Sequence, residues 1–258
     1  MPNFVAKLVS YIGRVPLAGG VLRRIARNYP EGSVVTIRSG EAKGLLWRRH
    51  HRYVNGYWVG IYELPLQHAI SNRLSSGKTF FDVGANAGFF TLVGAKVVGA
   101  SGKCVAFEPL PKNAENILEQ IKLNKFSHCH LIQKAVANEI GWMNFAFCSE
   151  GDPTAHLVEA NDERAVIRIQ TTTLDEAFKE WGAPDLIKLD VEGAEAVVIE
   201  GAKAMLAASR PMWIIELHGP DQEQRVKEVL FNYGYQFAAV GGCEPKAEGE
   251  YPRHIVAQ

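Results

Sequence analysis

The spacing of hydrophobic residues follows two alternating patterns from residue 79 onward. Short apolar runs, such as Thr79–Val83 and Cys104–Phe107, end at glycine or polar residues and predict buried strands. Between such runs, apolar residues recur every three or four positions, as in Pro111–Asn124, and predict helices with one apolar face. Strands that alternate with helices predict an α/β fold, with a mostly parallel sheet and helices on both of its faces.

Later apolar runs extend this sheet and add a second group of strands. The predicted later strands of the main sheet are Asp185–Asp190, Met212–Leu217 and a terminal antiparallel pair, Tyr235–Val240 with His254–Ala257. Two more runs, Trp142–Cys148 and Ala165–Gln170, predict extra strands. The polar segment between them, residues 149–164, is long enough to be a functional loop and is expected to be irregular.

The first part of the chain has a different pattern. Val34–Arg38 and Gly44–Arg49 predict a β-hairpin, and apolar residues between positions 4 and 25 predict two short amphipathic helices. We therefore expect an N-terminal extension of helices and a hairpin over residues 1–56, followed by one main domain over residues 57–258. The two helices are expected to pack on the main domain or on a second copy in a homodimer. Contact with a membrane surface is the alternative.

Composition narrows the choice of partners. The 258 residues carry 28 Lys and Arg against 28 Asp and Glu, so the net formal charge is zero. A broad nucleic-acid surface would need a basic excess, so no nucleic-acid partner is expected. No apolar run approaches the roughly 20 residues of a membrane span. The four cysteines form no Cys-x-x-Cys pair, which favours free thiols in a cytoplasmic protein.

Residues Phe80–Gly88 are the first candidate for chemistry. A short apolar strand contains Asp82 near its end, and Gly84 and Gly88 frame a tight turn before another apolar run. Glycine allows the backbone to approach a ligand closely because it has no Cβ. The next strand ends in Glu108, where an acid in an α/β unit binds ribose hydroxyls. The turn and the acid together predict a cofactor that contains adenosine.

The spacing within this turn distinguishes between adenosine cofactors. A dinucleotide site needs Gly-x-Gly-x-x-Gly, whereas Asp82–Gly88 has the pattern Asp-x-Gly-x-x-x-Gly, without the third glycine. The Asp82 carboxylate would repel a pyrophosphate, but it suits S-adenosylmethionine, which carries an ammonium and a sulfonium and no phosphate. Small residues in Lys134–Ala137 would let backbone groups reach an adenine ring. S-adenosylmethionine is therefore favoured, with a dinucleotide or a turn without a ligand as the alternatives.

A second group of polar residues follows the later strands. Lys188, Asp190 and Glu192 alternate with apolar residues, which would place all three side chains on the same side of a strand. Charges in such a place are costly unless they are paired or used. Glu216 and His218 end the next strand and are expected to face the same edge of the sheet, beside the reactive end of the cofactor. An ion pair from Lys188 to Asp190 or Glu192 is the purely structural alternative.

Several stretches together resemble the FkbM-type methyltransferases. These stretches are Gly60–Glu63, Phe81–Thr91, Val105–Pro109, Thr173–Asp175 and Ile187–Glu195. The resemblance implies a class I methyltransferase fold (Rossmann-like) with seven strands, one of them antiparallel, and S-adenosylmethionine as the methyl donor. It also implies transfer, commonly, to a hydroxyl oxygen of a sugar or polyketide-like small molecule, although the substrate itself does not carry over. Residues 1–50 lie outside the resemblance.

On this basis we expect a set of cofactor-binding residues around the first turn and the strand ends. They are Glu63, Asp82, Gly84, Ala85, Asn86, Gly88, Glu108, Pro109, Ala135, Val136 and Asp190. The expected reaction is O-methylation of a hydroxyl on a sugar or other small metabolite by in-line displacement.

A hydroxyl is a poor nucleophile until a base removes its proton, so a catalytic base is expected. Asp190 and His218 are the two candidates for the base. Lys188 would orient Asp190 or hold the developing alkoxide. Glu192, Glu216 and His218 are expected to contact the acceptor.

Other functions stay open at this point. No metal site is predicted, but Asp190, Glu192, Glu216 and His218 could instead hold a divalent ion that acidifies the hydroxyl. The chain could also be a non-catalytic protein that binds S-adenosylmethionine, or a methyltransferase that acts on a macromolecule. Methylation of a nucleobase amine is disfavoured, because Asp190 is followed by Val-Glu-Gly rather than by a Pro-Pro-aromatic turn.

Overall fold

The computed structural model describes residues 29–53, 56–147, 155–157, 166–242, 251 and 253–258. The two amphipathic helices expected between residues 4 and 25 lie outside the described residues. The chain divides into two compact units, residues 1–64 and 65–258. The boundary expected from the sequence lies between residues 56 and 57.

The first unit contains the predicted hairpin. Strands β1 (Val34–Thr36) and β2 (Leu46–Arg48) pair in antiparallel register. A single 3₁₀ turn, Tyr57–Val59, follows. The ring of Trp47, on β2, lies 5.3 Å from the ring of Tyr57, so two buried aromatic side chains join the hairpin to this turn.

The rest of the chain alternates strands with helices. The strands are β3 (Thr79–Val83), β4 (Lys103–Phe107), β5 (Cys129–Ile132), β6 (Ala135–Val136), β7 (Gly141–Phe147), β8 (Ala155–Leu157), β9 (Val166–Thr172), β10 (Leu186–Leu189), β11 (Met212–Leu217), β12 (Phe237–Ala239) and β13 (Arg253–Ala257). The helices are α1 (Leu64–Ser71), α2 (Phe89–Val98), α3 (Pro111–Leu123), α4 (Leu174–Trp181), α5 (Glu195–Glu200), α6 (Lys203–Ala208) and α7 (Pro220–Asn232). None of the helices in the described part of the chain is long and apolar enough to cross a membrane.

Seven strands form the main sheet of the second unit, in the order β12-β13-β11-β10-β3-β4-β5. Neighbouring strands are parallel except at β13, which is antiparallel to both β11 and β12. The predicted seven-stranded, mostly parallel sheet with one antiparallel strand is therefore confirmed. The carboxyl ends of β3, β4, β10 and β11 lie along one edge, where ligands bind in such sheets.

Burial explains why these residues form the central strands. All four residues of β10 are buried, and Phe80 and Phe81 on β3 are fully buried on opposite faces of the sheet. Helix α4 begins at the predicted capping box, where the Thr173 side chain accepts a hydrogen bond of 3.1 Å from the backbone N–H of Glu176. The register partners Cys104 and Cys129 are buried free thiols, as expected.

A second sheet of four strands has the order β6-β9-β7-β8. It confirms the two extra strands, but the expectation of an irregular loop over residues 149–164 is wrong for residues 155–157. These residues form β8, which pairs antiparallel with β7, because the edge of β7 has backbone groups that a further strand can satisfy. The other residues of that segment lie outside the described part of the chain.

Candidate active site

A cleft opens at the carboxyl ends of β3, β4 and β10, and we call it the central cleft. Its walls are formed by Val83, Gly84, Asn86, Phe107–Leu110, Asn113, Lys134–Val136, Phe145, Asp190–Glu192 and Ala194. Seven of the predicted cofactor residues line it, namely Gly84, Asn86, Glu108, Pro109, Ala135, Val136 and Asp190. Asp82, Ala85 and Gly88 are not among the lining residues, and Glu63 belongs to the first compact unit.

The two glycines of the turn are needed chiefly because protein atoms lie close to them. Gly84 has φ +76°, and a Cβ there would lie 1.7 Å from the carbonyl oxygen of Asp190. Gly88 has φ +83°, and a Cβ there would lie 2.9 Å from Cγ1 of Ile117. The sequence argument explained these glycines by the approach of a ligand, and that stays a prediction. The structure adds a second reason, since Gly84 packs on the end of β10 and Gly88 packs on α3.

Glu108 is held at the cleft wall by fixed donors. Its carboxylate accepts hydrogen bonds from the backbone N–H groups of Asn86 (2.8 Å) and Leu110 (3.0 Å), and from the side-chain amide of Asn113 (3.1 Å). Burial raises the pKa of Glu108 to about 7, although these hydrogen bonds act in the opposite direction. The position and orientation of this carboxylate are therefore set before any ligand binds.

Asp82 contacts protein groups at the end of β3. It is fully buried, its carboxylate accepts a hydrogen bond of 2.6 Å from the Thr91 hydroxyl, and the ammonium of Lys188 lies 3.4 Å away. Asp82 was expected to face the positive charge of a cofactor. The cation that it contacts in this structure is Lys188, so its direct contact with a cofactor stays a prediction.

Lys188 joins the turn to the strand ends. It is buried, and its Nζ donates to the carbonyl oxygen of Gly84 at 3.1 Å and lies 3.5 Å from the carboxylate of Asp190. The structural alternative for Lys188, an ion pair with Asp190, is therefore present. The argument that Glu192 shares a strand face with Lys188 and Asp190 is wrong, because β10 ends at Leu189 and Glu192 adopts φ +53° in the following turn.

That turn places Glu192 next to His218, within a set of ionisable side chains that we call the His218 cluster. The cluster consists of Asp190, Glu192, Glu195, Glu216 and His218. Nδ1 of His218 lies 2.9 Å from Oε1 of Glu195, and Nε2 lies 3.4 Å from Glu192 and 3.9 Å from Glu216. The predicted convergence of Asp190, Glu216 and His218 is confirmed, since their polar atoms lie within 4.8 Å of one another.

The cluster shifts the protonation of its members. Burial by itself would lower the pKa of His218, but the hydrogen bond to Glu195 and the surrounding carboxylates raise it to about 9. Burial raises the pKa of Asp190 to about 7, with Glu216 and Glu192 acting in the same direction and Lys188 in the opposite one. Asp190 therefore changes protonation near neutral pH, whereas His218 is mostly protonated there and becomes available as a base as the pH approaches 9.

Two members of this region were missed as site residues. Glu195 was assigned only to a helix, although it ends the Lys-x-Asp-Val-Glu-Gly-x-Glu motif and is an acid between the buried residues Ala194 and Ala196. His254, whose Nε2 lies 3.2 Å from Glu216, gave no signal, because the contact depends on the pairing of β11 with β13.

The spacing of Asp190, Glu216 and His218 has room for a divalent ion. However, the buried ammonium of Lys188 already lies 3.5 Å from Asp190. The raised pKa of His218 adds a second cation at neutral pH. Side chains therefore already compensate part of the negative charge that would attract a metal ion.

Comparison with known proteins decides the family. The family model described as the methyltransferase FkbM domain matches residues 82–237, which is more than half of the chain. The chain belongs to the FkbM methyltransferase family. The predicted resemblance is confirmed, and the chain is an S-adenosylmethionine-dependent methyltransferase. No curated protein matches this methyltransferase in a sequence search.

One solved structure supports the fold of this family, and two others are similar to the chain at TM-scores below 0.5. A methyltransferase FkbM from Methylobacillus flagellatus KT has a TM-score of 0.53 and 15% identity, and the match covers 81% of this chain and 53% of that one. A precorrin-6y C5,15-methyltransferase from Geobacter metallireducens GS-15 has a TM-score of 0.48 and 14% identity, covering 76% and 89%. An S-adenosylmethionine-dependent O-methyltransferase from Thermotoga maritima has a TM-score of 0.46 and 13% identity, covering 74% and 63%. At these identities the likeness concerns the class I methyltransferase fold alone.

Proposed function

We propose that this methyltransferase transfers a methyl group from S-adenosylmethionine to a hydroxyl oxygen of a sugar or another small metabolite. The observation that carries the proposal is the position of Asp190, which lines the central cleft and also belongs to the His218 cluster. A group able to accept a proton therefore lies where the cofactor site meets the acceptor site. Such a group is what a hydroxyl acceptor needs, because its oxygen attacks only as the proton leaves.

The residues of the central cleft fit S-adenosylmethionine. Glu108 presents an oriented carboxylate to the ribose hydroxyls, and Ala135 and Val136 leave space for a flat ring beside them. Oδ1 of Asn86 is buried at the cleft and has no hydrogen-bond partner among the described residues, so it is available to a donor on the ligand. Asp190 supports the positive charge at the reactive end.

The protein contributes position and proton transfer to this reaction. When bound, S-adenosylmethionine supplies the methyl group, and its sulfur takes the electron pair of the carbon–sulfur bond that breaks. The acceptor oxygen bonds to the methyl carbon and loses its proton to Asp190 or His218. We assign Lys188 to positioning Asp190 rather than to holding the alkoxide, because its ammonium already donates to Gly84 and lies between two carboxylates.

The charges around the acceptor site limit the class of substrate. The four carboxylates of the His218 cluster outnumber their cationic neighbours inside the site, His218 and Lys188. A phosphorylated metabolite or a nucleic-acid backbone would be repelled there. We therefore propose a small acceptor without negative charge, with a free hydroxyl, and no nucleic-acid substrate.

Calorimetric titration with S-adenosylmethionine, S-adenosylhomocysteine and NAD tests the cofactor first. We expect micromolar binding of the first two and none of NAD. A screen of sugars and hydroxylated metabolites, with mass detection of the added methyl group, then tests the acceptor. Failure of a folded sample to bind S-adenosylmethionine would overturn the assignment of the central cleft. Methylation of an amine or of RNA in preference to hydroxyls would overturn the acceptor class.

A further inference from the structure

Glu195 is a buried carboxylate to which the proposed reaction has so far given no task. It is fully buried at the start of α5. Oε1 accepts a hydrogen bond of 2.9 Å from the backbone N–H of Gly193 and lies 2.9 Å from Nδ1 of His218. Oε2 is buried and has no hydrogen-bond partner among the described residues. A carboxylate in such a place is costly unless a cation compensates its charge.

His218 is the cationic partner that Glu195 contacts. A carboxylate accepts hydrogen bonds and cannot donate them when ionised, so the ring nitrogen that faces Glu195 must carry a hydrogen. This nitrogen is Nδ1, which leaves Nε2 as the atom that gains or loses a proton. The Glu195 carboxylate therefore selects one tautomer of the neutral imidazole and also fixes the orientation of the ring.

Nε2 faces the other carboxylates of the His218 cluster, where we propose that the acceptor binds. Glu192 lies 3.4 Å from it on the turn after β10, and Glu216 lies 3.9 Å from it on β11. Asp190 is the third carboxylate in this group, since polar atoms of Asp190, Glu216 and His218 lie within 4.8 Å of one another. Two other ionisable side chains face the cluster, and each contacts a carboxylate. Lys188 lies 3.5 Å from Asp190, and His254 lies 3.2 Å from Glu216.

We propose that Glu195 is a positioning residue that holds His218 by Nδ1, so that Nε2 of His218 is the base that takes the proton of the acceptor hydroxyl. This inference rests on the proposed function and decides between its two candidate bases. Asp190 is the weaker candidate, because its carboxylate is paired with the buried ammonium of Lys188.

The proposed step balances in protons and electrons. The acceptor O–H bond breaks and its proton passes to Nε2, while an oxygen lone pair forms the new bond to the methyl carbon. The carbon–sulfur bond breaks with its electron pair on sulfur. The imidazolium that results is stabilised by the Glu195 carboxylate and releases its proton to water before the next turnover.

The first test is ¹⁵N NMR of protein labelled at histidine, with His218 assigned by the signal that His218→Asn removes. Because the pKa of His218 is about 9, the spectra are recorded over a pH range that extends above 9. In the neutral form that appears there, we expect hydrogen on Nδ1 and none on Nε2. The opposite tautomer would overturn the proposal. This measurement needs neither cofactor nor acceptor, so it can fail while the methyltransferase assignment stands, and titration with S-adenosylmethionine tests that assignment separately.

The second test compares two variants in which a glutamate is replaced by an uncharged glutamine. Glu195→Gln keeps the size of the side chain and removes its charge, and we expect the pKa of His218 to fall by about one unit or more. We also expect kcat to fall about 10- to 100-fold while KM for S-adenosylmethionine stays within about threefold. Glu192→Gln is the matched control for the tautomer alone, because Glu192 lies 3.4 Å from Nε2 and not beside Nδ1, so the hydrogen on Nδ1 should stay in place.

An unchanged His218 pKa and unchanged kcat in Glu195→Gln would overturn the positioning role. If that variant does not fold, Glu195→Asp replaces it, since it keeps the charge and shortens the reach to Nδ1. We then expect a lower kcat with the fold retained. Wild-type kcat in a folded Glu195→Asp variant with a displaced Nδ1 signal would equally overturn the role.

Discussion

Glu108 and Asp190 are both carboxylates at strand ends of one cleft, yet they have different surroundings. Glu108 is held by two backbone N–H groups and one side-chain amide, none of which titrates near neutral pH. Asp190 has ionisable neighbours, with Lys188 3.5 Å away and Glu216 and His218 close by. Burial raises the pKa of both to about 7. Fixed donors suit binding, whereas ionisable neighbours suit a step in which a proton moves.

The sharpest test of this contrast is to remove each candidate base. In His218→Asn, the amide keeps a donor for Glu195 and loses the basic nitrogen, and we expect turnover to fall about 10²- to 10⁴-fold. Asp190→Asn should cost about tenfold, because it disturbs position rather than the base. His218→Asn should bind S-adenosylmethionine within about threefold of wild type by calorimetry. A larger loss in Asp190→Asn than in His218→Asn would reverse the two roles.

The pH dependence follows from the raised pKa of His218, about 9. The base must be neutral to accept a proton, so at pH 7 only about one molecule in a hundred is ready. We expect kcat/KM of the free enzyme to rise about tenfold per pH unit from pH 7 toward 9 and then level off. The rise should move to lower pH in Glu195→Gln. A flat profile between pH 7 and 9 would contradict His218 as the base.

The contact between the two strand ends can be broken at Gly84. A Cβ at this position would lie 1.7 Å from the Asp190 carbonyl oxygen, whereas at Gly182, which also has a positive φ of +85°, no atom lies within 4 Å. Gly182→Ala should cost about 1–3 kcal/mol in the free energy of unfolding from backbone strain alone, since Gly182 also has ψ −178°. Gly84→Ala should cost about 1–3 kcal/mol more, from overpacking. The free energy of unfolding is measured by chemical denaturation. If both variants lose the same amount, the backbone around Gly84 can move away from Asp190 without cost, which would contradict the prediction.

The role of the fixed hydrogen-bond donors around Glu108 is tested by the Glu108→Gln variant. A glutamine amide would turn an N–H₂ group toward at least one of the three donors, so we expect the affinity for S-adenosylmethionine to fall about 10-fold. The pH profile of turnover should keep its shape, because His218 is untouched. Calorimetry measures the affinity for S-adenosylmethionine. A shifted pH profile would indicate that Glu108 influences the protonation of the His218 cluster.

The smallest effect is expected from chelation. Lys188 and His218 already supply positive charge to the carboxylates, so activity after exhaustive treatment with EDTA should stay within about twofold of the untreated enzyme. Loss of turnover that Mg²⁺ or Mn²⁺ restores would support the divalent-ion mechanism instead. Binding of S-adenosylmethionine with and without the chelator serves as the control.

Local patterns in the chain were enough to predict the main sheet and most of the cleft. The strands are continuous apolar runs that burial on both faces requires, and the helices between them have one apolar face. The motifs around Gly84 and Glu108 predicted the cofactor and four residues that line the cleft, and the segments around Ala135 and Asp190 predicted three more. Strand β8 was not predicted, because its three residues lie in a polar segment and pair only with the edge of β7.

The sequence by itself determined the class I fold, the family and the identity of the acidic and basic residues at the strand ends, since these depend on periodicity and short motifs. Only the tertiary structure decided which charge faces which. It turned Lys188 toward Asp82, and it placed Glu195 behind His218. Such pairs join residues far apart in the chain. Because the interaction between charges depends on their separation, the partner within a few ångströms decides whether a carboxylate binds, positions a base or accepts a proton.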